Sequence, residues 1–268
     1  MLISVIISTY NRPDALKLIL SAFDMQSDRE FEVIVADDGS KEDTKKVVHQ
    51  KMIDCSYPIT YVYQKDEGFR LARIRNLAAK KAKGEYLVFL DGDCVPRPSF
   101  ISCHRKLAQK NFLVAGNRIL LSQSFTKYVL DKQEPIFSYS FFKWIHIFMD
   151  HGINRLHPLF VLPYFQKMRN LKNKWKKARG CNFALFKEDY FKVDGCDSDF
   201  KGWGYEDSDL AIRLIHAGLS IKSGRYATGV LHLFHHENDR SHEKENLKVL
   251  QDRLNSDVVK AQNGISRL

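Results

Sequence analysis

The chain carries a pair of carboxylates, Asp91 and Asp93, separated only by Gly92. In an extended segment, residues spaced by two lie on the same side, so both carboxylates can face one ligand. Gly92 has no side chain and lets the backbone approach that ligand closely. Oxygen ligands of this kind suit Mg²⁺ or Mn²⁺, which can in turn bind a diphosphate. A solvated acidic turn is an equally frequent source of such a pair, so its position in the fold has to decide.

A second segment, 202–209, reads G-W-G-Y-E-D-S-D. Trp203 is followed by Gly204 and preceded by another glycine, so its ring can be displayed and can stack on a sugar. Glu206 or Asp207 can take a proton from an attacking hydroxyl group. We expect the positive end of the following helix to lower the pKa of such a carboxylate. Complementing the helix dipole is the alternative role of these acids, but it leaves the tryptophan between two glycines unexplained.

Histidines cluster in residues 230–236, which read V-L-H-L-F-H-H. A single histidine near a strand is more often packed or exposed than a metal ligand. Because the two aspartates already imply a metal, His232 and His235 are the favoured additional ligands.

Two loops and one helix carry further polar groups. Asp37 and Asp38 end a predicted strand, and either carboxylate could accept a hydrogen bond from a base or ribose. Arg75 lies on a basic helix that could balance the charge of a metal–diphosphate ligand. The polar groups of the first loop, which would face the same ligand, are Ser8, Thr9, Tyr10, Asn11 and Arg12.

Strand and helix patterns alternate over the first 120 residues, which predicts an α/β fold with a mostly parallel sheet flanked by helices. The loops with polar residues follow the strands, where open α/β sheets bind ligands. The predicted strands are 2–8, 31–36, 59–63 and 85–90, and the predicted helices are 14–26, 41–51 and 70–83.

The later chain is less regular. Residues 122–179 are aromatic and basic and predict helices or a long loop region. Regular patterns return with 182–186, a helix over about 205–217 and a strand over 229–236. We therefore predict one domain over 1–236, comprising a nucleotide-binding half (1–120), an aromatic and basic insertion (121–180) and a catalytic half (181–236). Residues 237–268 are predicted to form a helical tail.

The composition is that of a globular protein with an excess of positive charge. The chain has 268 residues, with 42 Lys and Arg against 32 Asp and Glu, a net charge of +10 that favours polyanionic partners. Five cysteines without a C-x-x-C pair indicate a reducing compartment. No apolar run reaches the ~18 residues of a membrane span. We expect a cytoplasmic protein, with attachment to the inner face of a membrane as an option. Seven cations fall within one short run: Lys167, Arg169, Lys172, Lys174, Lys176, Lys177 and Arg179.

Together these segments resemble the inverting family-2 glycosyltransferases of the GT-A fold. The segment 202–210 is similar to the G-W-G-x-E-D element of β-1,4-galactosyltransferases, chondroitin polymerases and polypeptide GalNAc-transferases. The matching segments, in chain order, are V-I-I-S-T-Y-N-R-P (5–13), A-D-D-G-S (36–40), L-A-R-I-R-N-L-A (71–78), Y-L-V-F-L-D-G-D (86–93) and G-W-G-Y-E-D-S-D-L (202–210).

The resemblance implies a role for each candidate residue. Asp93 would hold a divalent metal, with Asp91 in a supporting or donor-ribose role and a histidine from 231–235 as a further metal ligand. Asp207 would be the catalytic base and Glu206 would contact a sugar, while Trp203 would stack on a sugar. The residues that would hold the nucleoside are Thr9, Asp37 or Asp38, and Arg75.

The resemblance also implies a reaction. A hexose or N-acetylhexosamine would move with inversion from a nucleotide-diphosphosugar, of which a UDP-sugar is favoured, to a glycan or lipid-linked oligosaccharide acceptor. Synthesis of lipopolysaccharide or another surface polysaccharide is the expected setting. The aromatic residues before the basic run would suit an anionic membrane surface, although an aromatic core beneath a solvated basic face is equally compatible.

Two other functions compete with this one. A sugar nucleotidyltransferase also uses an α/β sheet and acidic metal ligands, but it should carry a Gly-rich basic loop where this chain has S-T-Y-N-R-P. A non-catalytic sugar- or nucleotide-binding protein would have no use for a base such as Asp207. Nucleic acid is not an expected partner, because only Trp175 interleaves with the cations of the basic run.

Overall fold

The computed structural model describes residues 1–162, 166–178, 180–236 and 239–268. The strands are β1 (Ile3–Thr9), β2 (Phe31–Asp37), β3 (Ile59–Tyr63), β4 (Tyr86–Asp91), β5 (Cys94–Val95), β6 (Phe112–Ala115), β7 (Asn117–Leu120), β8 (Asn170–Lys172), β9 (Asn182–Phe186), β10 (Ser220–Ser223) and β11 (Gly229–His232). The α-helices are α1 (Pro13–Phe23), α2 (Glu42–Asp54), α3 (Leu71–Lys81), α4 (Phe100–Leu107), α5 (Gln123–Lys132), α6 (Phe141–Met149), α7 (Gln166–Arg169), α8 (Lys187–Lys192), α9 (Glu206–His216) and α10 (Glu243–Leu254).

The central sheet has the strand order β3-β2-β1-β4-β9-β6-β10-β8. Strands β3, β2, β1 and β4 are parallel, whereas β9 runs antiparallel to both β4 and β6. A second, smaller sheet has the order β5-β11-β7. The mixed, mostly parallel sheet predicted from the sequence is therefore present.

Strand β1 shows why the sheet lies between two helical layers. All seven of its residues are buried, as its continuous apolar sequence predicts. Ile3, Val5 and Ile7 pack on the side of α1, while Ile6 packs on the side of α3. This alternation is the period of two of a β-strand, and it fixes which helices cover each face.

The predicted strands and helices of the first 120 residues are confirmed, with ends that shift by a few residues. The predicted strand over 229–236 is shorter, because β11 ends at His232 and the following histidines lie in a loop. The region 122–179 contains helices, as expected, of which α6 is the most apolar. Only Trp144 of α6 is buried, and Phe142 is 75% exposed.

The basic run is not one solvated patch. Arg169 is only 7% exposed and donates hydrogen bonds to the carbonyl oxygens of Ser223 and Arg225. These bonds join the basic run to the end of β10 and the loop after it. Arg179 lies outside the described residues. The run members that are exposed in the structure are Lys172, Lys174, Lys176 and Lys177.

The C-terminal residues form the helix that the sequence favoured, α10, which packs against α9. The division of the chain at residue 236 stays a prediction. Within the described residues, no helix is both long and apolar enough to cross a membrane.

Candidate active site

Strand register brings the polar loops to one edge of the sheet. Ser8 of β1 pairs with Asp91 of β4, and Thr9 pairs with Asp37 of β2. Because these strands are parallel, their carboxyl ends meet at the same edge. The first loop, the Asp37 turn and the two-aspartate segment therefore lie side by side, as the sequence predicts.

The small sheet brings His232 to Asp93. Strand β11 pairs antiparallel with β5, with His232 opposite Cys94, and the amide of Leu233 donates to the carbonyl of Asp93. His232 Nε2 lies 3.5 Å from Asp93 Oδ1, and His235 Nε2 lies 3.1 Å from Asp93 Oδ2. The structure thus brings together the three residues that the sequence singled out as metal ligands.

The chemistry of these three residues fits a divalent cation. Ligand atoms about 2.1 Å from an octahedral Mg²⁺ are about 3 Å from their neighbours, which is close to the separations observed here. His235 Nδ1 lies 2.7 Å from the carbonyl oxygen of His236. A carbonyl only accepts, so Nδ1 carries the hydrogen and Nε2 faces Asp93. The hydrogen bond with Asp93 raises the pKa of His235, so a proton can lie between them, and the neutral ring offers a lone pair to a cation in its place. Lone pair and carboxylate face each other favourably only with a proton or cation between them.

The electrostatics of the cluster are consistent with that fit. Burial works to raise the pKa of Asp93, but the hydrogen bond with His235 and the nearby His232 lower it overall. Burial lowers the pKa of His232, which favours its neutral, metal-binding form. Burial also raises the pKa of the Cys94 thiol, which donates to Asp93 Oδ1 at 3.3 Å rather than competing as a thiolate ligand.

Arg75 lies at the centre of the site and is fully buried. Its Nη2 donates to Asp91 Oδ1 at 2.9 Å and to the carbonyl oxygen of Gly180 at 3.0 Å. Its Nε donates to Ser8 Oγ at 3.4 Å, and its Nη1 lies 3.8 Å from Glu206 Oε1. Sequence reasoning expected Arg75 to hold the nucleoside. That role stays a prediction, and in the structure the buried guanidinium joins the strand edge to the start of α9.

The two carboxylates that open α9 differ in their surroundings. Glu206 is 9% exposed, and burial together with the charge of Asp207 raises its pKa to about 7, with Arg75 opposing that shift. Sequence reasoning expected a carboxylate here to have a lowered pKa; for Glu206, burial outweighs the helix dipole. Asp207 is more accessible, and its Oδ2 accepts a hydrogen bond from the amide of Gly180 at 2.5 Å. Asp207 is thus oriented by backbone while it can still reach a ligand.

Trp203 lies in the loop before α9 and is partly exposed, as the flanking glycines suggested. Gly202 has φ +66° and Gly204 has φ +117°, backbone conformations that favour glycine. Tyr205 continues this turn at φ +71°, an unusual conformation for a residue with a side chain, and precedes Glu206. The chain therefore turns sharply between the indole and the carboxylates that open α9.

The two aspartates predicted to contact a nucleoside are more buried than expected. Asp37 accepts hydrogen bonds from the Ser40 amide and the Tyr61 hydroxyl, and is fully buried. Asp38 is 6% exposed, and it accepts from the Gln64 side chain and the Arg70 amide. Both aspartates therefore hold the loops that shape the site, and contact of either one with a nucleoside stays a prediction.

The first-loop residues occupy different environments. Thr9 Oγ1 is buried and has no hydrogen-bond partner among the described residues, which leaves it available to a ligand. Tyr10 is half exposed and donates to Asp66 Oδ2 at 3.0 Å. Arg12 lies 3.6 Å from Asp14 and its charge acts on His235, so it borders the candidate metal ligands.

The space at Gly92 is used by the protein itself. A Cβ there would lie 2.6 Å from the carbonyl oxygen of Ser8, and the Gly92 amide donates to that same oxygen at 2.7 Å. Gly92 therefore permits close packing of two strand ends, and the close approach to a ligand that the sequence suggested stays a prediction.

Arg118 is a site residue that sequence reasoning missed. Burial works to lower the pKa of Arg118, but the nearby Cys181, Cys94, Asp91 and Asp93 raise it overall, so Arg118 lies close enough to the two aspartates for their charges to act on it. Arg118 lies on β7, where the regular pattern of the sequence stops. Only the pairing of β7 with β11 reveals its position.

Comparison with known proteins identifies the class that this fold and site define. Residues 4–193 match Glycosyl transferase family 2, and residues 164–237 match the N-terminal domain of galactosyltransferase. The first match covers most of the chain, so the protein belongs to Glycosyl transferase family 2. The second match includes Trp203, Asp207 and His232, which agrees with the similarity noted for the G-W-G-x-E-D element.

Several curated relatives are polysaccharide synthases. The chain is 28% identical over 229 residues to chondroitin synthase of Escherichia coli, covering 82% of this chain and 33% of that protein. It is 29% identical over 248 residues to validoxylamine A glucosyltransferase of Streptomyces hygroscopicus subsp. jinggangensis, covering 85% and 55%. It is 28% identical over 229 residues to hyaluronan synthase of Pasteurella multocida, covering 82% and 23%. The chain thus spans about half or less of the length of these relatives.

Solved structures confirm the GT-A fold. S. aureus TarS 1-349 in complex with UDP superposes with a TM-score of 0.63 at 14% identity, covering 99% of this chain and 68% of that one. The Pyrobaculum calidifontis mannosyltransferase PcManGT, in complex with GDP-Man and Mn²⁺, gives 0.59 at 18% identity, covering 86% and 56%.

Proposed function

We propose that this protein is an inverting, metal-dependent glycosyltransferase that moves a hexose or N-acetylhexosamine from a nucleotide-diphosphosugar to a glycan acceptor. One observation carries the proposal. Asp93, His232 and His235 form a candidate metal centre, and Arg75 connects the neighbouring Asp91 to the carboxylates of α9. A metal site beside an accessible carboxylate is what a direct displacement on a sugar nucleotide requires.

Each candidate residue has its own role in the proposed reaction. A divalent ion, Mn²⁺ or Mg²⁺, held by Asp93, His232 and His235 would neutralise the developing charge of the diphosphate leaving group. Asp207, oriented by the Gly180 amide, accepts the proton of the acceptor hydroxyl as that oxygen forms its bond to the anomeric carbon. Trp203 offers an apolar ring face for a sugar. A single displacement inverts the anomeric configuration, and no covalent nucleophile is needed.

On the donor side we favour a UDP-sugar. Thr9 has an unpartnered buried hydroxyl at the sheet edge, and Asp37 and Asp38 shape the neighbouring turn. A fold similar to S. aureus TarS, which was solved with UDP and with UDP-GlcNAc, supports this choice. PcManGT was solved with GDP-Man, so a GDP-sugar is the alternative that the experiment below includes.

On the acceptor side we propose a growing glycan, carried on a lipid, at the cytoplasmic face of a membrane. The names of the polysaccharide synthases among the relatives support a glycan, and a surface polysaccharide such as lipopolysaccharide fits that class. Helix α6 supports the membrane. This helix belongs to region 121–180, which also carries the exposed lysines of the basic run. Its exposed apolar side chains are Phe141, Phe142, Phe148 and Met149. The five cysteines form no disulfide, as a reducing compartment requires.

The proposal can be tested by nucleotide binding and then by turnover. Thermal unfolding would be followed with UDP, GDP or neither, each with Mn²⁺ and with EDTA. We expect one diphosphate to raise the melting temperature only with Mn²⁺, because a ligand that binds the native state stabilises it. That nucleotide's sugar donors would then be assayed for release of the nucleoside diphosphate. Stabilisation by neither nucleotide, or release of pyrophosphate from nucleoside triphosphates instead, would contradict the proposal.

A further inference from the structure

Helix α10 packs against the segment that carries Trp203 and Asp207. It lies outside both family matches, which end at residues 193 and 237, and the sequence predicted a helical tail there without linking it to the site. Two separate sets of contacts join this helix to the active site.

The first set comes from the start of α10. Asn246 is 5% exposed, and its Nδ2 donates to the carbonyl oxygen of Lys201 at 2.9 Å and points to that of Trp203 at 3.5 Å. The ring of His242 occupies the space beside Gly202, where a Cβ would lie 2.8 Å from His242 Cδ2. One buried amide thus holds carbonyl groups on both sides of Gly202.

The second set comes from the end of α10. Arg253 Nε donates to Asp209 Oδ1 at 2.7 Å, and its Nη2 donates to Asp197 Oδ2 at 2.9 Å. Asp209 is fully buried on α9 and also accepts from Arg213 Nε at 2.7 Å. Removing one partner from such a buried network leaves a charge unpaired, so the network fixes α10 on α9.

The indole itself is covered by a cation from the segment before α10. The guanidinium of Arg240 lies 4.8 Å from the centre of the Trp203 ring, within the range of a cation–π contact. Gly204 has nothing within 4 Å of its Cβ position, so the far end of the loop has open space around it. The contacts from Asn246 of α10 and from Arg240 therefore hold the loop in position.

We infer that α10 is a positioning element, in which Asn246 and Arg253 hold the Trp203 loop in a fixed relation to Asp207. In terms of the proposed function, on which this inference rests, α10 sets how the acceptor sugar is presented to the base. Among the described residues, no hydrogen bond or ion pair joins α10 to Thr9 or Asp93, which form the donor side on other loops. Residues beyond the family matches thus affect how the acceptor sugar is held, but not how the metal and the nucleotide bind.

The test uses the fluorescence of Trp203 in the full chain. Replacing the other two tryptophans, Trp144→Phe and Trp175→Phe, leaves Trp203 as the single emitter. In this background Asn246→Asp keeps the side-chain shape but removes the donor. Loss of one hydrogen bond shifts a local equilibrium by roughly 2- to 10-fold, so acrylamide quenching of Trp203 should rise at least about twofold. Lys248→Ala, at an exposed position of the same helix, is the matched control and should change nothing.

The donor side provides the second readout. Titration with UDP in Mn²⁺, or with GDP if that is the nucleotide bound, should give the same affinity in the parent and in Asn246→Asp. Unchanged quenching in a folded Asn246→Asp protein would overturn the inference, as would a loss of nucleotide affinity that matches the rise in quenching. If Asn246→Asp does not fold, Arg253→Lys decides instead, because it keeps the charge but loses the paired hydrogen bonds to Asp209 and Asp197. It should raise the quenching of Trp203, and no change would overturn the inference. A parent that binds neither nucleotide refutes the proposed function, while the quenching result still decides the role of α10.

Discussion

Arg75 and Asp91 form an ion pair, Nη2 to Oδ1 at 2.9 Å, in which the arginine is fully buried and the aspartate side chain is 31% exposed. The same guanidinium lies 3.8 Å from Glu206 at the start of α9. One cation therefore sets the separation between the strand edge that presents the candidate metal ligands and the helix that presents the proposed base.

Arg75→Met should destabilise the fold. The change leaves Asp91 and Glu206 without their shared cation, and breaking a buried ion pair from one side costs about 3 kcal/mol or more. Urea unfolding of Arg75→Met and of Lys81→Met, an exposed position on the same helix, measures the effect. Equal free energies of unfolding for the two variants would show that Arg75 does not organise the site.

Glu206 should make stability depend on pH in a direction opposite to that of most carboxylates. The folded protein holds this proton up to a pKa of about 7, whereas the ordinary value is 4.5. Between these values the folded state binds more protons than the unfolded state, so the free energy of unfolding contributed by Glu206 falls as pH rises. Above about pH 7 the full penalty of the buried charge is present.

Glu206→Gln removes that titration. The variant should gain stability relative to the parent as pH rises from about 5 to about 8, and thermal melts across this range measure the difference. A constant difference between parent and variant would mean that Glu206 does not titrate in this window.

Mn²⁺ should stabilise the folded protein through Asp93. In about 100-fold excess over its dissociation constant, a ligand that binds only the native state raises the free energy of unfolding by about 2.7 kcal/mol. We expect this gain in the parent, its loss in Asp93→Asn and its reduction in His232→Gln. Asp43→Asn, at an exposed position on α2, should retain it. Full stabilisation of Asp93→Asn by Mn²⁺ would place the metal elsewhere.

The exposed face of α6 should govern binding to anionic vesicles. Phe142 is 75% exposed and Met149 is 57% exposed, and a large apolar side chain contributes about 1.5–3 kcal/mol when it is fully buried. The double variant Phe142→Ser, Met149→Ser should bind phosphatidylglycerol vesicles at least roughly tenfold more weakly. Ile53→Ser, with Ile53 79% exposed on α2, is the matched control. Equal sedimentation of the two variants with vesicles would remove the membrane from the proposal.

Local patterns were enough to predict the sheet and to select residues that the structure brings together as candidate metal ligands. The apolar run of β1 and the aspartates after β4 are signals within a few residues, and strand ends of a parallel sheet must meet. His232 lies beside Asp93 because β11 pairs with β5, and the sequence favoured this histidine only because the two aspartates already implied a metal.

Contacts between distant segments were beyond the sequence. The burial of Arg75 depends on Gly180 and Glu206, which come from two other parts of the chain. Asn246 looks like any polar residue of a surface helix until its amide is seen between two carbonyl groups. Such roles depend on tertiary packing, which composition and periodicity do not encode.

The central claim is that Asp207 acts as a base in sugar transfer, and turnover of Asp207→Asn tests it most directly. Asparagine keeps the size of the side chain but cannot take the proton, and general-base catalysis contributes roughly 10²- to 10⁴-fold in rate. Glu206→Gln is the paired control, and affinity for the nucleoside diphosphate with Mn²⁺ is measured alongside.

We predict that Asp207→Asn lowers the rate of sugar transfer from the bound donor by roughly 10²- to 10⁴-fold with unchanged nucleotide affinity, and by more than Glu206→Gln does. Near-normal turnover of Asp207→Asn, or a larger loss in Glu206→Gln, would contradict the assignment of Asp207 as the base.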